Sequence, residues 1–453
     1  MASATATPTG APTAPDRPHS GPIGWIVAGS LLVGAAAALV AVLVVAAGAA
    51  EHVLTGAALL GSALGWALLA ALSARLTDQP QRWALVPAAV LGTSGLALLL
   101  LAPGPAVMAG LGWGWPPLLL VLAGFMAVRA HRSLRSWTRG WLVYPVCAVI
   151  ALAAAGGAVG TVRRAAAPDM PAAGQLYDVG GRGLYLECTG TGSPTVVLHS
   201  GAGEHTPSWA WIAPAVAQDT RVCRYDRAGV GWSDPAPHPQ DAVDLAEDLH
   251  TLLAAADVPG PYVLAGHSVG GVYDLVFADR YPAHVAGVVL VDSSSPAQLS
   301  LPGYAGEYEL YRRVSALYPS LARLGLGPIA FGGGFAGLPP GARDAERSLG
   351  ASAADLRGQR DEWSQLPVVF RQARAVTDLG GKPLLVLTAG QGHDPSWFPA
   401  QEALAALSQD SEHRTVGGAS HMDLLQDEHA AAAVAQGIRD VVQAVRTGTP
   451  LQP

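Results

Sequence analysis

The sequence predicts two architectures in one chain: an all-α membrane part of about five helices, then an α/β domain built on a mostly parallel sheet. Two observations carry this. Residues 24–162 are almost free of charge and rich in Ala, Leu, Val and Gly, whereas residues 163–453 have the mixed composition of a globular domain. In that second part, short apolar runs alternate with helical stripes, the pattern of a sheet covered by helices on both faces. The net charge of −7 is modest and no basic run is long enough to track a phosphate backbone, which argues against nucleic acid as a partner.

Residues 1–22 are mostly Ala, Thr, Pro, Gly and Ser, too little apolar surface to fold, and are expected to form a disordered tail. Five apolar stretches follow at 24–48, 53–74, 84–102, 106–128 and 141–162, each near the roughly 20 residues a helix needs to cross a bilayer. No Asp, Glu, Lys or Arg falls inside them, so the usual marks of a proton relay or ion path are missing and the segment, 23–163, reads as an anchor rather than a transporter. Basic residues alternate between the connections. The gaps at 49–52 and 103–105 carry none, 75–83 carries Arg75 and Arg82, and 129–140 carries Arg129, Arg132, Arg135 and Arg139. By the positive-inside rule the domain after the fifth span is extracytoplasmic, with Arg163 and Arg164 pointing the other way.

A linker at 164–174 leads into the second domain, 175–447, with a short tail at 448–453. Leu176–Val179 and Leu184–Cys188 read as a hairpin across Gly180-Gly181-Arg182-Gly183. Strands are expected at Thr195–His199, Arg221–Tyr225, Tyr262–Gly266, Gly287–Val291, Leu384–Leu387 and His413–Val416. Helical stripes lie between them at Trp209–Gln218, Asp241–Ala256, Val272–Tyr281 and Gln401–Leu407, and a last helix closes the domain at Ala430–Val445.

The chain is organised around Gly266-His267-Ser268-Val269-Gly270, a serine between glycines where an apolar strand runs into a helix. Such a nucleophile elbow holds the serine in strained backbone, and the residues two before and two after it must be small for strand and helix to pass. The pentapeptide alone is weak in so glycine-rich a chain, but two further motifs accompany it. They are Leu198-His199-Ser200-Gly201-Ala202-Gly203 after the third strand and Tyr225-Asp226-Arg227-Ala228-Gly229-Val230-Gly231-Trp232-Ser233-Asp234 after the fourth. Together they resemble the α/β-hydrolase family, in the branch that includes non-haem haloperoxidases, haloalkane dehalogenases, epoxide hydrolases and proline iminopeptidases. Dehalogenases and epoxide hydrolases have Asp as nucleophile. Here the residue is Ser268, which favours acyl transfer to water.

The resemblance implies a serine, acid, histidine order. A serine hydroxyl needs an adjacent base, and the base needs a third group to hold its tautomer. His421, in Gly417-Gly418-Ala419-Ser420-His421 between the last strand and last helix, is the expected base; His413 and His429 are less well placed. For the acid the sequence offers Asp394, after the strand that usually carries it, and Asp292, at the end of Val288-Val289-Leu290-Val291; Asp394 is the preferred reading. The resemblance also implies an oxyanion hole from the backbone N–H groups of Val269 and Ala202, although Ser200 stands where the family often has His.

The stretch at about 293–381, with the Gly-rich Phe331–Phe335 inside it, breaks the alternation and resembles the family's helical cap. Cys188 and Cys223 fall on the second and fourth strands, and buried thiols are preferred to a disulfide because adjacent strands suit one poorly. No Cys, His or carboxylate cluster has metal-ligand spacing in the sequence, so no metal or cofactor is expected. The expected partners are a small-molecule acyl substrate and the lipid bilayer. The reading is a membrane-anchored serine hydrolase of an ester, thioester or amide. Its rivals are a proline-iminopeptidase-like peptidase, a haloperoxidase-like perhydrolase, and a non-catalytic receptor or transport accessory using the fold as a scaffold.

Overall fold

The structure is a computed structural model that describes residues 23–134, 139–165, 170–331 and 334–451. The expected tail at 1–22, Arg135, residues 166–169 of the linker, Gly332 and Gly333 of the Gly-rich run, and the last two residues lie outside the described residues. Five helices long and apolar enough to cross a membrane occupy Ile23–Val45, Glu51–Leu76, Arg82–Leu101, Pro105–Ser133 and Trp141–Val162, within a few residues of the expected spans. They divide between two compact units. One holds the described residues up to 44, 56–100 and 119–151; the other holds 45–55, 101–118 and everything from 152 onward. Within that second unit Arg323 pairs with Glu51 and donates to the Met108 carbonyl at 2.9 Å.

The globular part is an eight-stranded sheet in the order β1-β2-β4-β3-β5-β6-β7-β8. Its strands are β1 Gly174–Asp178, β2 Gly183–Thr189, β3 Thr195–His199, β4 Val222–Tyr225, β5 Tyr262–His267, β6 Val285–Val291, β7 Leu384–Ala389 and β8 Ser411–Val416. The β1-β2 and β2-β4 pairs are antiparallel and all others parallel. Each residue of β3, β5 and β7 is buried, as strands covered on both faces must be. One face packs on the helices Ala242–Ala255, Val269–Arg280 and Ala353–Ala373, the other on Ile212–Val216 and Glu428–Thr447. Between β6 and β7, where a cap is expected, lie the helices Tyr304–Ser315, Tyr318–Arg323, Gly327–Phe331, Pro340–Gly350 and Ala353–Ala373.

The cysteine expectation is corrected. Cys188 and Cys223 form a disulfide. The antiparallel register sets them directly opposite each other with Cα atoms 4.0 Å apart, a cross-strand proximity that "adjacent strands" alone does not convey. Cys147 is free and buried.

A buried ionic cluster ties the cap to the loop after β3. His205 Nδ1 meets Glu346 Oε2 at 2.5 Å and its Nε2 meets Asp355 Oδ1 at 2.7 Å, while Ser208 Oγ donates to Glu346 Oε1 at 2.6 Å. Burial opposes a charge on His205, but Asp355 and Glu346 outweigh it and hold its pKa well above the usual value. Its contribution to stability is therefore complete below the ordinary histidine pKa of about 6.5 and is lost only as pH rises through the raised value. Because removing one partner strands two buried carboxylates, His205→Ala is expected to destabilise the globular domain by about 3–5 kcal/mol. The exposed His238→Ala should change it by less than about 0.5 kcal/mol. Denaturant unfolding of both variants checks this, and equal effects would deny the cluster its role.

Candidate active site

The site forms where β5, β6, β7 and β8 end side by side. Ser268 follows β5 directly, with φ 55° and ψ −128°, a left-handed conformation that a non-glycine residue adopts only when its surroundings force it. Three hydrogen bonds do so: Ser268 N–H donates to the Val291 carbonyl at 3.1 Å, and the Ser268 carbonyl accepts from Ser294 N–H at 2.9 Å and Gly271 N–H at 3.3 Å. The flanking glycines are required as expected. A Cβ on Gly266 would lie 2.4 Å from the Gly271 nitrogen, and one on Gly270 would lie 2.4 Å from the His199 oxygen.

Asp292 follows β6 in the same manner, with φ 43° and no solvent exposure. Its Oδ2 accepts from Nδ1 of His421 at 2.6 Å and from Nε2 of His393 at 2.7 Å. Its Oδ1 accepts from the Trp397 indole at 3.0 Å and from Ala389 N–H at 3.1 Å. Burial alone would raise its pKa, but the bonds from His393 and His421 prevail and keep the carboxyl below the usual range. The preference for Asp394 as acid is therefore corrected. Asp394 is at the surface, where its Oδ1 accepts from Ser396 N–H at 2.9 Å and caps the turn before helix Trp397–Ala405. One residue earlier in that loop, His393 turns inward instead.

Of His421, His413 and His429, His421 is the one whose ring meets Asp292. Its pKa is lowered, first by burial and then by the neighbouring His267, against the pull of Asp292, so the ring is neutral at pH 7 and able to accept a proton. The ring of His267 lies 4.4 Å from that of His421, and His267 Nε2 donates to the His421 carbonyl at 3.1 Å. No hydrogen bond joins Ser268 Oγ to His421 in this structure; such bonds are often long before substrate arrives. Of the other histidines, His413 bonds Thr388 at 2.7 Å and Glu402, also at 2.7 Å, in a separate contact.

The expected oxyanion donors are free: among the described residues neither Val269 N–H nor Ala202 N–H reaches a protein acceptor. The loop carrying Ala202 is braced from below. Glu204 Oε2 accepts from Gly201 N–H at 2.7 Å, and Oε1 of the same carboxylate meets His267 Nδ1 at 2.8 Å. Arg227 donates to the carbonyls of Ser200 at 2.6 Å and Gly201 at 2.9 Å, and to Glu362 of the cap at 2.6 Å. Burial disfavours charge on both Glu204 and His267, yet each stabilises the other: Glu204 is lowered and His267 raised. His199, one position before the family's usual histidine, is buried against Asp274 and Tyr225, where burial holds it neutral.

Sequence reasoning missed Glu204, His267 and His393. The first two lie inside quoted motifs or beside them, but only the fold joins them. The sequence spacing offers no metal cluster, whereas the fold brings Asp292, His393 and His421 together as three metal-type donors.

A family profile described as the alpha/beta hydrolase fold matches residues 194–324. The globular domain has the α/β-hydrolase fold. Among curated proteins, an uncharacterised protein of Schizosaccharomyces pombe is 30% identical over 306 residues, 59% of this chain and 56% of the relative. The human monoglyceride lipase is 32% identical over 163 residues, 32% of this chain and 50% of the lipase. The chain thus spans about half the length of these curated relatives. Among solved structures, the Cif epoxide hydrolase from Acinetobacter nosocomialis shares the fold, with a TM-score of 0.53, 14% identity, and coverage of 64% of this chain and 96% of that one.

The two carboxylates make opposite demands on a kinetic comparison. Asp292→Asn should lower kcat for a p-nitrophenyl ester by about 10³–10⁴-fold, the loss expected when a base is left in the wrong tautomer. Asp394→Asn, which alters only a surface turn, should stay within a few-fold of the parent. The reverse ranking would return the acid to Asp394.

Proposed function

We propose that this chain is a membrane-anchored serine hydrolase that cleaves an ester, thioester or amide through an acyl-enzyme intermediate, with its catalytic domain extracytoplasmic. The observation that carries the reading is Ser268, a serine held at φ 55° at the end of β5, at the same sheet edge as a neutral His421 gripped by Asp292. In this mechanism His421 Nε2 takes the proton as Ser268 Oγ attacks the acyl carbon. The Val269 and Ala202 N–H groups receive the oxyanion, and the imidazolium, steadied by Asp292, returns the proton to the leaving group. Water deprotonated by the same nitrogen then attacks the Ser268 ester, releasing the acid and restoring the hydroxyl. The likeness to a monoglyceride lipase agrees with acyl chemistry.

The five apolar helices support the anchor. The arginine alternation supports the 75–83 and 129–140 connections lying inside and the domain outside. The Cys188–Cys223 disulfide agrees, because such bonds persist in oxidising compartments.

A charged fluorophosphonate probe that does not cross membranes tests chemistry and placement together. Applied to intact cells it should label wild-type protein at Ser268 and leave Ser268→Ala unlabelled. Labelling only after lysis would move the domain to the cytoplasmic side. A folded, lysed sample that resists the probe would overturn the serine-hydrolase reading in favour of a binding scaffold.

A further inference from the structure

We propose that Asp292, His393 and His421 form a site for a zinc-type divalent ion, and that an ion bound there switches the hydrolase off by fixing the unproductive tautomer of His421. The regulation rests on the serine-hydrolase reading; the metal site rests on geometry alone. Acyl transfer asks the acid to hold one imidazole. Asp292 holds two, with His393 Nε2 at 2.7 Å and His421 Nδ1 at 2.6 Å from its Oδ2, and each of the three side chains offers a ligand atom within 4.8 Å of the others.

Two imidazole nitrogens and one carboxylate oxygen are a standard zinc donor set, with the fourth position left to water. Ligands at about 2.0–2.1 Å from a tetrahedral ion stand roughly 3.3 Å apart. The present contacts are 2.7 Å and 2.6 Å, so each ring would have to retreat by about 0.6–0.7 Å. Both rings can, since His393 and His421 sit on loops after β7 and β8 rather than inside an element. The carboxylate does not need to move. Trp397 Nε1 and Ala389 N–H already fix its other oxygen, the kind of outer support that orients a metal ligand, and Trp397 also stacks on His393 at 4.6 Å. The His421 side chain is 34% exposed while Asp292 is buried, so an ion would enter along the His421 edge.

The chemistry follows from proton positions. With Nδ1–H donated to Asp292, His421 keeps a lone pair on Nε2 for the serine proton. An ion on Nδ1 takes the lone pair there and leaves the proton on Nε2; His393 likewise moves its proton from Nε2 to Nδ1. No electrons are transferred; each ring only exchanges which nitrogen carries its proton. An Nε2 that carries hydrogen cannot accept one from Ser268, so acylation stops until the ion is withdrawn.

Full-length protein in detergent micelles, titrated with cobalt(II), gives a readout independent of turnover. One equivalent should produce the visible absorption of four-coordinate cobalt, and zinc should displace it. Zinc should inhibit ester hydrolysis and a chelator should restore it. Ser268→Ala should keep the cobalt band while losing turnover. His393→Gln should weaken cobalt binding and raise the half-inhibiting zinc concentration by at least ~10-fold, on the scale seen when a metal site loses support. In wild-type protein, zinc should also protect His393 and His421 from diethylpyrocarbonate, a measurement that holds even if His393→Gln fails to fold. Absence of the band, or histidines that stay reactive under zinc, would overturn the site while leaving the triad intact. Turnover that survives in Ser268→Ala would instead overturn the serine reading and leave the metal result standing.

Discussion

The active end of the molecule depends on one buried carboxylate. Asp292 has no exposure to water, and a buried charge is tolerated only when its lone pairs are met by donors. Its four partners come from three places: Ala389 at the end of β7, His393 and Trp397 in and after the next loop, and His421 beyond β8. The charge therefore ties neighbouring strand ends to one point, and its backbone, at φ 43°, is held in a strained conformation to do so. Losing the charge would release His421 and loosen the loops that frame it.

A second set of buried charges does for the loop carrying Ala202 what Asp292 does for His421. Glu204 and His267 lie beneath it, Arg227 holds two of its carbonyls, and His205 links it to Glu346 and Asp355 on the cap. Arg227 reaches Glu362 on that same cap. The loop carrying Ala202 and the helices between β6 and β7 are thus one braced unit. A substitution on the inner face of the cap helices would be felt at Ala202 as well as in the binding space.

Much of this was legible in the chain because it rests on local rules. The elbow was readable since Gly266 and Gly270 answer a steric demand that no larger residue meets, and the sheet since its central strands are short and apolar throughout. The five helices long and apolar enough to cross a membrane were readable from length and missing charge. Which carboxylate meets His421 was not, because Asp292 and Asp394 both follow parallel strands ending at the same sheet edge, and only the packed fold shows that Asp292 is buried while Asp394 stays at the surface. The disulfide was misjudged for a related reason: it depends on Cys188 and Cys223 falling opposite each other in register, a fact that strand assignments alone do not contain. Glu204, Glu346 and His393 were illegible individually, since an isolated acidic or imidazole side chain gains meaning only from partners far away in sequence.

The central claim is that a charged Asp292 grips His421 and His393 through their N–H protons. Proton NMR of the full-length protein in micelles observes those protons directly, as resonances far downfield of the amide envelope when a ring N–H bonds a carboxylate. Two such resonances are expected, both absent from Asp292→Asn and both retained in Asp394→Asn. A spectrum in which the downfield signals survive Asp292→Asn and vanish with Asp394→Asn would contradict it.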